Sequence, residues 1–398
     1  MQLAERIINS KDAGLGNLLA APKQNQVSFA GGLPDPDLFP QRELNAGFNR
    51  ALASTTAALQ YSSAAGSQPL RKQLAARLVA DGVPASTESV LITQGAQQAL
   101  DLIGRLVLDP GARVIVEGPT YPGALAALGT YEPEFFTIPV HDDGMDMTQV
   151  AATLARGGVR LIYTVPDFQN PTGTVMSLAK RQQLLALARK YDVLVLEDAP
   201  YRALRYRGTN LPTLRQLDQD DHVLHVGSFS KILAPGLRLG WVTGVQHIID
   251  QLVQLKSNSD LESSTLTQRA VSEYLAHNDL DAHIKVLRRN YARKCKTMVT
   301  GLQRQLPASV HISDPAGGFF VLLELPAGIN SETVLAQVQD HVTFVPSTTL
   351  YPDQNVKNGM RLAFTNPDEA AIRRGCRELA AGINQALQAA CGAATAMA

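Results

Sequence analysis

VRLIYTVP (159–166), SLAKRQQLLALARKYD (177–192), VLVLED (193–198) and VLHVGSFSK (223–231) are the segments whose reading decides the fold. Apolar runs without polar alternation read as strands covered on both faces, and strands joined through helices lie parallel. Ser177 stands where an N-cap belongs. Backward from this unit the rhythm repeats: LRKQLAARLVADG (70–82) is helical, VLIT (90–93) apolar, AQQALDLIGRLVL (96–108) helical and ARVIVEG (112–118) apolar. Forward, LRLGWVTG (237–244) follows so closely that it is expected to pair antiparallel or sit at the sheet margin. A long helical region, Gln246 to Arg304, leads into a smaller α+β unit from about His311, with strands near GGFFVLLEL, VTFVPS and MRLAFT and a closing helix from Pro367 to Ala389. The Gly/Pro-rich GGLPDPDLFP, Gly31 to Pro40, punctuates before a helix starting near Gln41. The expected division is 1–45 as arm and entry loop packing with the small domain, 46–290 as the large domain, and 291–398 as a small C-terminal α+β domain.

The chain has 398 residues, 45% hydrophobic and 18% charged, with 36 basic against 36 acidic side chains. That composition belongs to a globular protein with room for two or three domains. A formal net charge of +0 removes the attraction on which nucleic-acid binders rely, so neither nucleic acid nor an anionic membrane is expected as partner. No apolar run is long enough for a membrane span, and the N-terminus lacks a signal-peptide core. Cys295, Cys376 and Cys391 are odd in number and without metal-ligand spacing, which favours reduced thiols, a cytoplasmic location and no metal site.

Polar residues gather where the apolar runs end, and in doubly wound sheets those carboxyl ends bind ligands. Lys231 follows the strand VLHVG in an apolar segment beside Ser228 and Ser230. A desolvated lysine loses its proton readily and becomes a nucleophile toward an aldehyde cofactor, although a lysine at such a position is, taken alone, more commonly a surface residue on a turn. Asp198 ends a strand that should be buried, where an aspartate needs a cationic partner such as a protonated ring nitrogen or else caps the next turn. Tyr201 can point its phenol into the same cleft, and Asn170, in the turn NPTG, can donate to a ring oxygen. Gly95, Ala96 and Gln97 stand between VLIT and a helix, where backbone N–H groups cradle a phosphate; Arg238 and the two serines add donors. Together these residues describe a pocket for a phosphorylated aromatic aldehyde.

The succession GGLP, QYSSAAGSQPLR, TQGAQQAL, EGPTYPG, PDFQNPTG, LEDAPY, SFSKILAPGLRLGW and MRLAFT resembles the fold-type I pyridoxal-phosphate aminotransferases of class I/II. Within that class it is most similar to the branch holding aminoadipate, kynurenine and related broad-specificity aminotransferases. The likeness runs in order from about residue 28 to 385. It implies an α/β fold: a large cofactor-binding domain with a mostly parallel mixed sheet flanked by helices, plus the smaller α+β domain. It implies pyridoxal 5'-phosphate as cofactor, anchored on Lys231, with Asp198 on the pyridine nitrogen and Asn170 and Tyr201 on the phenolic oxygen. Tyr121 stacks on the ring, Arg361 binds the substrate carboxylate, and Ala96, Gln97, Ser228, Ser230 and Arg238 hold the phosphate. Tyr61 reaches the phosphate of a neighbouring subunit, so the resemblance also implies a homodimer with shared sites. Gly32 is expected to bring backbone close to substrate.

The expected activity is ping-pong transamination from an α-amino acid to a 2-oxo acid such as 2-oxoglutarate, with the freed Lys231 amine as general base. The fold also supports lyases and decarboxylases, and more remotely an effector-sensing domain without catalysis. Substrate choice is least legible. In the resembling branch the N-terminal segment lines the side-chain pocket, and here INSKDAGLGNLLAAPK (8–23) has no arginine. Neutral aliphatic or aromatic donors are therefore expected, with aminoadipate open because Lys11 or Lys23 could supply the charge.

Overall fold

The computed structural model describes residue 3 and residues 23–54 and 56–396. The segment expected to line the side-chain pocket, including Lys11, lies outside the described residues except for Lys23, which is exposed. Fourteen strands are described: β1 (Val27–Ser28), β2 (Val90–Thr93), β3 (Arg113–Gly118), β4 (Glu134–His141), β5 (Gly144–Met145), β6 (Val159–Thr164), β7 (Leu194–Asp198), β8 (Val223–Ser228), β9 (Gly240–Thr243), β10 (His311–Ile312), β11 (Phe320–Glu324), β12 (Val342–Thr343), β13 (Val345–Pro346) and β14 (Gly359–Ala363). Eight form one sheet in the order β2-β9-β8-β7-β6-β3-β4-β5. Its centre, β8-β7-β6-β3-β4, is parallel, while β9 and β5 run against it. The antiparallel expectation for LRLGWVTG holds, but β9 lies one strand in from the edge, between β8 and β2.

Alternation along the central strands explains why both faces are apolar. Val114, Val116, Leu161, Leu196, Leu224 and Val226 point to one core, whereas Ile115, Ile162, Val195 and Val223 point to the other. The second core is closed by the helices Met147–Ala155 and Leu178–Tyr191, the latter capped by Ser177, whose hydroxyl accepts from the Lys180 amide. The same alternation puts Tyr163, Asp198 and Ser228 on the first face.

The region 246–304 is three helices, Gln246–Asp260, Thr265–His277 and Leu280–Gln303. The second and third begin at side-chain caps, Ser264 accepting from the Thr267 amide and Asp279 from the Asp281 and Ala282 amides. The helix Leu280–Gln303 runs through residues 290–291, so no linker marks the expected domain boundary. The C-terminal strands form a sheet in the order β10-β11-β14-β13; the helix Leu280–Gln303 packs against β10 and β11, and the closing helix Glu369–Ala396 packs on that helix and on β1 and β12. VTFVPS is not one strand: β12 leaves that sheet to pair in parallel with β1 in the arm. The arm thereby joins the C-terminal unit. Among the described residues no helix is long and apolar enough to cross a membrane.

Candidate active site

A cavity of about 540 Å³ opens at the carboxyl edge of the large sheet. Five connections meet there, following β2, β3, β6, β7 and β8, and antiparallel β9 begins there. Of the sequence-derived residues, Gly32, Ala96, Gln97, Tyr121, Asn170, Asp198, Tyr201, Ser228, Ser230, Lys231, Arg238 and Arg361 line it. Gly95 lies against Arg238: its φ is +73°, and a Cβ there would stand 2.8 Å from Arg238 Nη2. Tyr61 is elsewhere, 77% exposed on the surface.

Lys231 Nζ donates to the Gly32 carbonyl at 2.8 Å and lies 5.4 Å from the centre of the Phe319 ring. Burial, then the Arg361 and Arg238 guanidinium charges, pull its amine down to about 8, opposed by Asp198. At pH 7 roughly a tenth of such amines is uncharged and nucleophilic. The same Gly32 has no room for a side chain, since a Cβ would fall 2.8 Å from Phe320 Cζ.

Asp198 is 3% exposed. Tyr163 donates its hydroxyl to Asp198 Oδ2 at 2.9 Å, but buried Oδ1 has no partner. Burial raises the carboxyl to about 6 despite that phenol and the charges of His225 and Lys231. A buried carboxylate oxygen with nothing to accept from is costly unless a donor arrives from the cavity. A protonated pyridine nitrogen is such a donor.

The phosphate end is built from loops. Ser228 Oγ donates to Ser230 Oγ at 2.9 Å, and the Ser230 amide donates to Ser228 Oγ at 3.0 Å. Arg238, at φ +50°, turns its guanidinium toward the start of the helix Gly95–Val107, where Nη2 donates to the Gln94 carbonyl at 3.2 Å. Hydroxyls, a guanidinium and a helix N-terminus converge on one end of the cavity and could hold a phosphate. Gln97 donates to the Gly123 carbonyl at 2.7 Å and accepts from the Tyr121 hydroxyl at 3.4 Å, which fixes Tyr121 over the cavity.

Arg361 arrives from β14 of the other sheet and is 2% exposed. Its Nη1 donates to Asn170 Oδ1 at 3.2 Å and Nη2 to the Ala30 carbonyl at 2.7 Å, while buried Nε has no partner. The guanidinium lies 4.5 Å from the Phe320 ring centre, and burial lowers it to about 10. Burial also lifts the Tyr201 phenol well above its ordinary range; Tyr201 packs edge-on against Phe320 at 5.8 Å. Asn170 is held by a turn in which the Gly173 amide donates to the Gln169 carbonyl at 2.7 Å.

The residues therefore suit a phosphorylated pyridine aldehyde at each end: an amine for the aldehyde, an orphaned carboxylate oxygen for the ring nitrogen and a cationic cradle for the phosphate. Tyr163, Phe319 and Phe320 were not singled out in the sequence, because an aromatic inside an apolar run reads as core. Tyr163 sits one residue before the end of its strand, a place where polar tips reach a carboxyl-edge site, and that was the available signal.

Comparisons with known proteins identify the family. Residues 24–379 match the family model described as aminotransferase class I and II. Aromatic-amino-acid aminotransferase 1 of Thermococcus litoralis is 37% identical over 394 residues, 97% of this chain and 94% of that protein. The 2-aminoadipate transaminase of Thermus thermophilus is 37% identical over 358 residues, 89% of each chain. The crystal structure of Pyrococcus horikoshii kynurenine aminotransferase in complex with PMP, with KYN as substrates and KYA as products, superposes at a TM-score of 0.91. It is 36% identical, covering 96% of this chain and 97% of that one.

Proposed function

The chain belongs to the class I and II aminotransferase family and is a pyridoxal-phosphate-dependent aminotransferase of fold type I, and we propose that its preferred donors are neutral aliphatic or aromatic amino acids. When bound, the cofactor supplies the aldehyde that links to amines and the ring that accepts an electron pair from the amino acid's α-carbon. The chain's residues bind, orient and move protons around that chemistry. Lys231 would anchor the cofactor, and its amine, lowered to about 8 by burial, would carry the proton to and from the amino acid's α-carbon. Asp198 Oδ1 would accept from a protonated ring nitrogen and favour its protonation, while Asn170 and Tyr201 would address the phenolic oxygen. Tyr121 covers the ring; Ala96, Gln97, Ser228, Ser230 and Arg238 take the phosphate. Arg361 would clamp the substrate carboxylate and so orient the amino acid at its α-carbon.

The donor preference is carried by one observation: the cations lining the cavity are Lys231, Arg238 and Arg361, each already assigned, so among the described residues no cation is left for a side-chain carboxylate. Leu33 and Phe320 supply apolar wall instead. The relative named for aromatic amino acids fits this reading, and the one named for 2-aminoadipate sets the competing outcome. The acceptor in this reading is a 2-oxo acid such as 2-oxoglutarate, and the enzyme works in the cytoplasm. We further propose a homodimer in which Tyr61, exposed on one chain, completes the phosphate site of its partner, and a division into arm, large and small domains near residues 45 and 290. The test is the visible spectrum of the purified enzyme before and after adding single amino acids without any 2-oxo acid. Leucine or phenylalanine should convert the absorbance of the lysine-bound cofactor at lower concentration than aminoadipate or glutamate; the reverse order would overturn the preference.

A further inference from the structure

Tyr163 is fully buried within β6, yet its hydroxyl ends at the wall of the cavity. β6 and β7 pair in parallel with Tyr163 opposite Leu196, which puts Asp198 two residues farther along the neighbouring strand on the same face. That separation is roughly 6.6 Å along the strand, within reach of a tyrosine and beyond a serine or threonine. A free carboxylate rotates over a broad, twofold-symmetric well, so its two oxygens would be equivalent. The phenol removes that equivalence by engaging Oδ2 at 2.9 Å and leaving buried Oδ1 unpartnered.

We propose that Tyr163 is a positioning residue for the cofactor: by donating to Asp198 Oδ2 it locks the carboxylate so that Oδ1 alone receives the ring N–H. The inference rests on the Asp198 role given above. The phenol keeps its proton throughout the working range, because burial and the neighbouring carboxylate push its ionisation far up, so the only proton it can share goes to Asp198. The other charged or titratable groups around the carboxylate are His225 on β8, Lys231 beyond it, Glu117 on β3, Tyr121 after β3 and Tyr201 after β7. Arg238 and Arg361 line the same cavity. None of these is hydrogen-bonded to Asp198 among the described residues. Without the phenol, Asp198 would hold its proton to higher pH, and a protonated carboxyl no longer favours a protonated ring.

The experiment compares wild-type holoenzyme with Tyr163→Phe, Asp198→Asn and the double variant, measuring the dissociation constant of pyridoxal 5'-phosphate across pH. Tyr163→Phe keeps the ring volume and removes one oxygen; its affinity should fall about tenfold or more, the worth of a hydrogen bond to a charged group. The pH below which cofactor is released should also move upward, which a packing defect would not cause. In the Asp198→Asn background the second substitution should change nothing further. Tyr163→His, which retains a neutral donor, should bind more tightly than Tyr163→Leu, and this pair serves if Tyr163→Phe does not fold. Tyr163→Phe within twofold of wild type at every pH overturns the proposal, as does equal weakening with and without Asp198, or equal affinities of the His and Leu variants. If Asp198→Asn itself binds like wild type, the Asp198 role falls and this inference with it. If Asp198→Asn weakens binding and Tyr163→Phe does not, the inference alone falls.

Discussion

Gly95→Ala should weaken cofactor binding through the phosphate, because the glycine shares its space with Arg238. At φ +73° an alanine incurs about 1–2 kcal/mol of left-handed backbone strain, a cost to stability wherever the strain arises. The added Cβ would also lie 2.8 Å from Arg238 Nη2, 3.2 Å from Cζ and 3.4 Å from Nη1. Backbone need not move, since the obstructing group is the end of a flexible side chain; the guanidinium must retreat by roughly 1 Å to reach an ordinary contact. That retreat costs its charge-assisted contact to phosphate, about 1.5–3 kcal/mol, or roughly 10- to 100-fold in affinity. Two other glycines separate the effects. Gly111→Ala carries the strain, at φ +79°, with nothing within 4 Å, and Gly236→Ala, in the connection beside Arg238, has open space and no positive φ. The assay is equilibrium titration of cofactor-free protein with pyridoxal 5'-phosphate and, in parallel, with unphosphorylated pyridoxal. Gly95→Ala should lose affinity for the phosphorylated compound alone, Gly111→Ala should lose melting temperature but no affinity, and Gly236→Ala should change neither. Equal weakening toward both compounds, or retention within twofold toward the phosphate, would refute the link from Gly95 through Arg238.

Lys231→Ala should abolish both the absorbance of the lysine-bound cofactor and turnover. In the wild-type protein without cofactor, covalent capture of the aldehyde should accelerate as pH rises through about 8, where the amine loses its proton, and level off above; a rate flat between pH 6 and 9 would contradict the depressed amine. Arg361→Leu should lower kcat/KM for every amino acid by about 100-fold, mostly through KM, and an unchanged KM would move carboxylate recognition elsewhere. Tyr61→Ala should weaken retention of cofactor without altering the melting temperature of the cofactor-free protein, and sedimentation should show a dimer; unaltered retention would remove Tyr61 from the site.

Much of the site could be read along the chain because its chemistry clusters at strand ends. Asp198, Ser228 and Lys231 follow apolar runs whose period marks them as buried strands, and a polar residue at such an end has few reasons to be there. Helix starts were readable where a cap stood out, as at Ser177, and the breaks at Ser264 and Asp279 carried the same kind of signal. Other features depend on neighbours far away in sequence. Local pattern cannot say that β9 lies inside β2, since both read as short apolar strands, nor that Val342–Thr343 leaves its neighbours to pair with the arm. Arg361 enters the cavity from a different sheet, placed by a motif but seated by contacts with Asn170 and Ala30 that no spacing encodes. Tyr163 differs from a packing tyrosine only through the strand register that brings its hydroxyl to Asp198. By itself, then, the sequence determined the alternating α/β order and the reactive groups at the strand ends, because side-chain period and burial are local properties. Which oxygen of Asp198 stays free, how far Lys231 is desolvated and which cations share the cavity were decided by tertiary structure, because electrostatic environment is set by whatever packs alongside, whatever its distance along the chain.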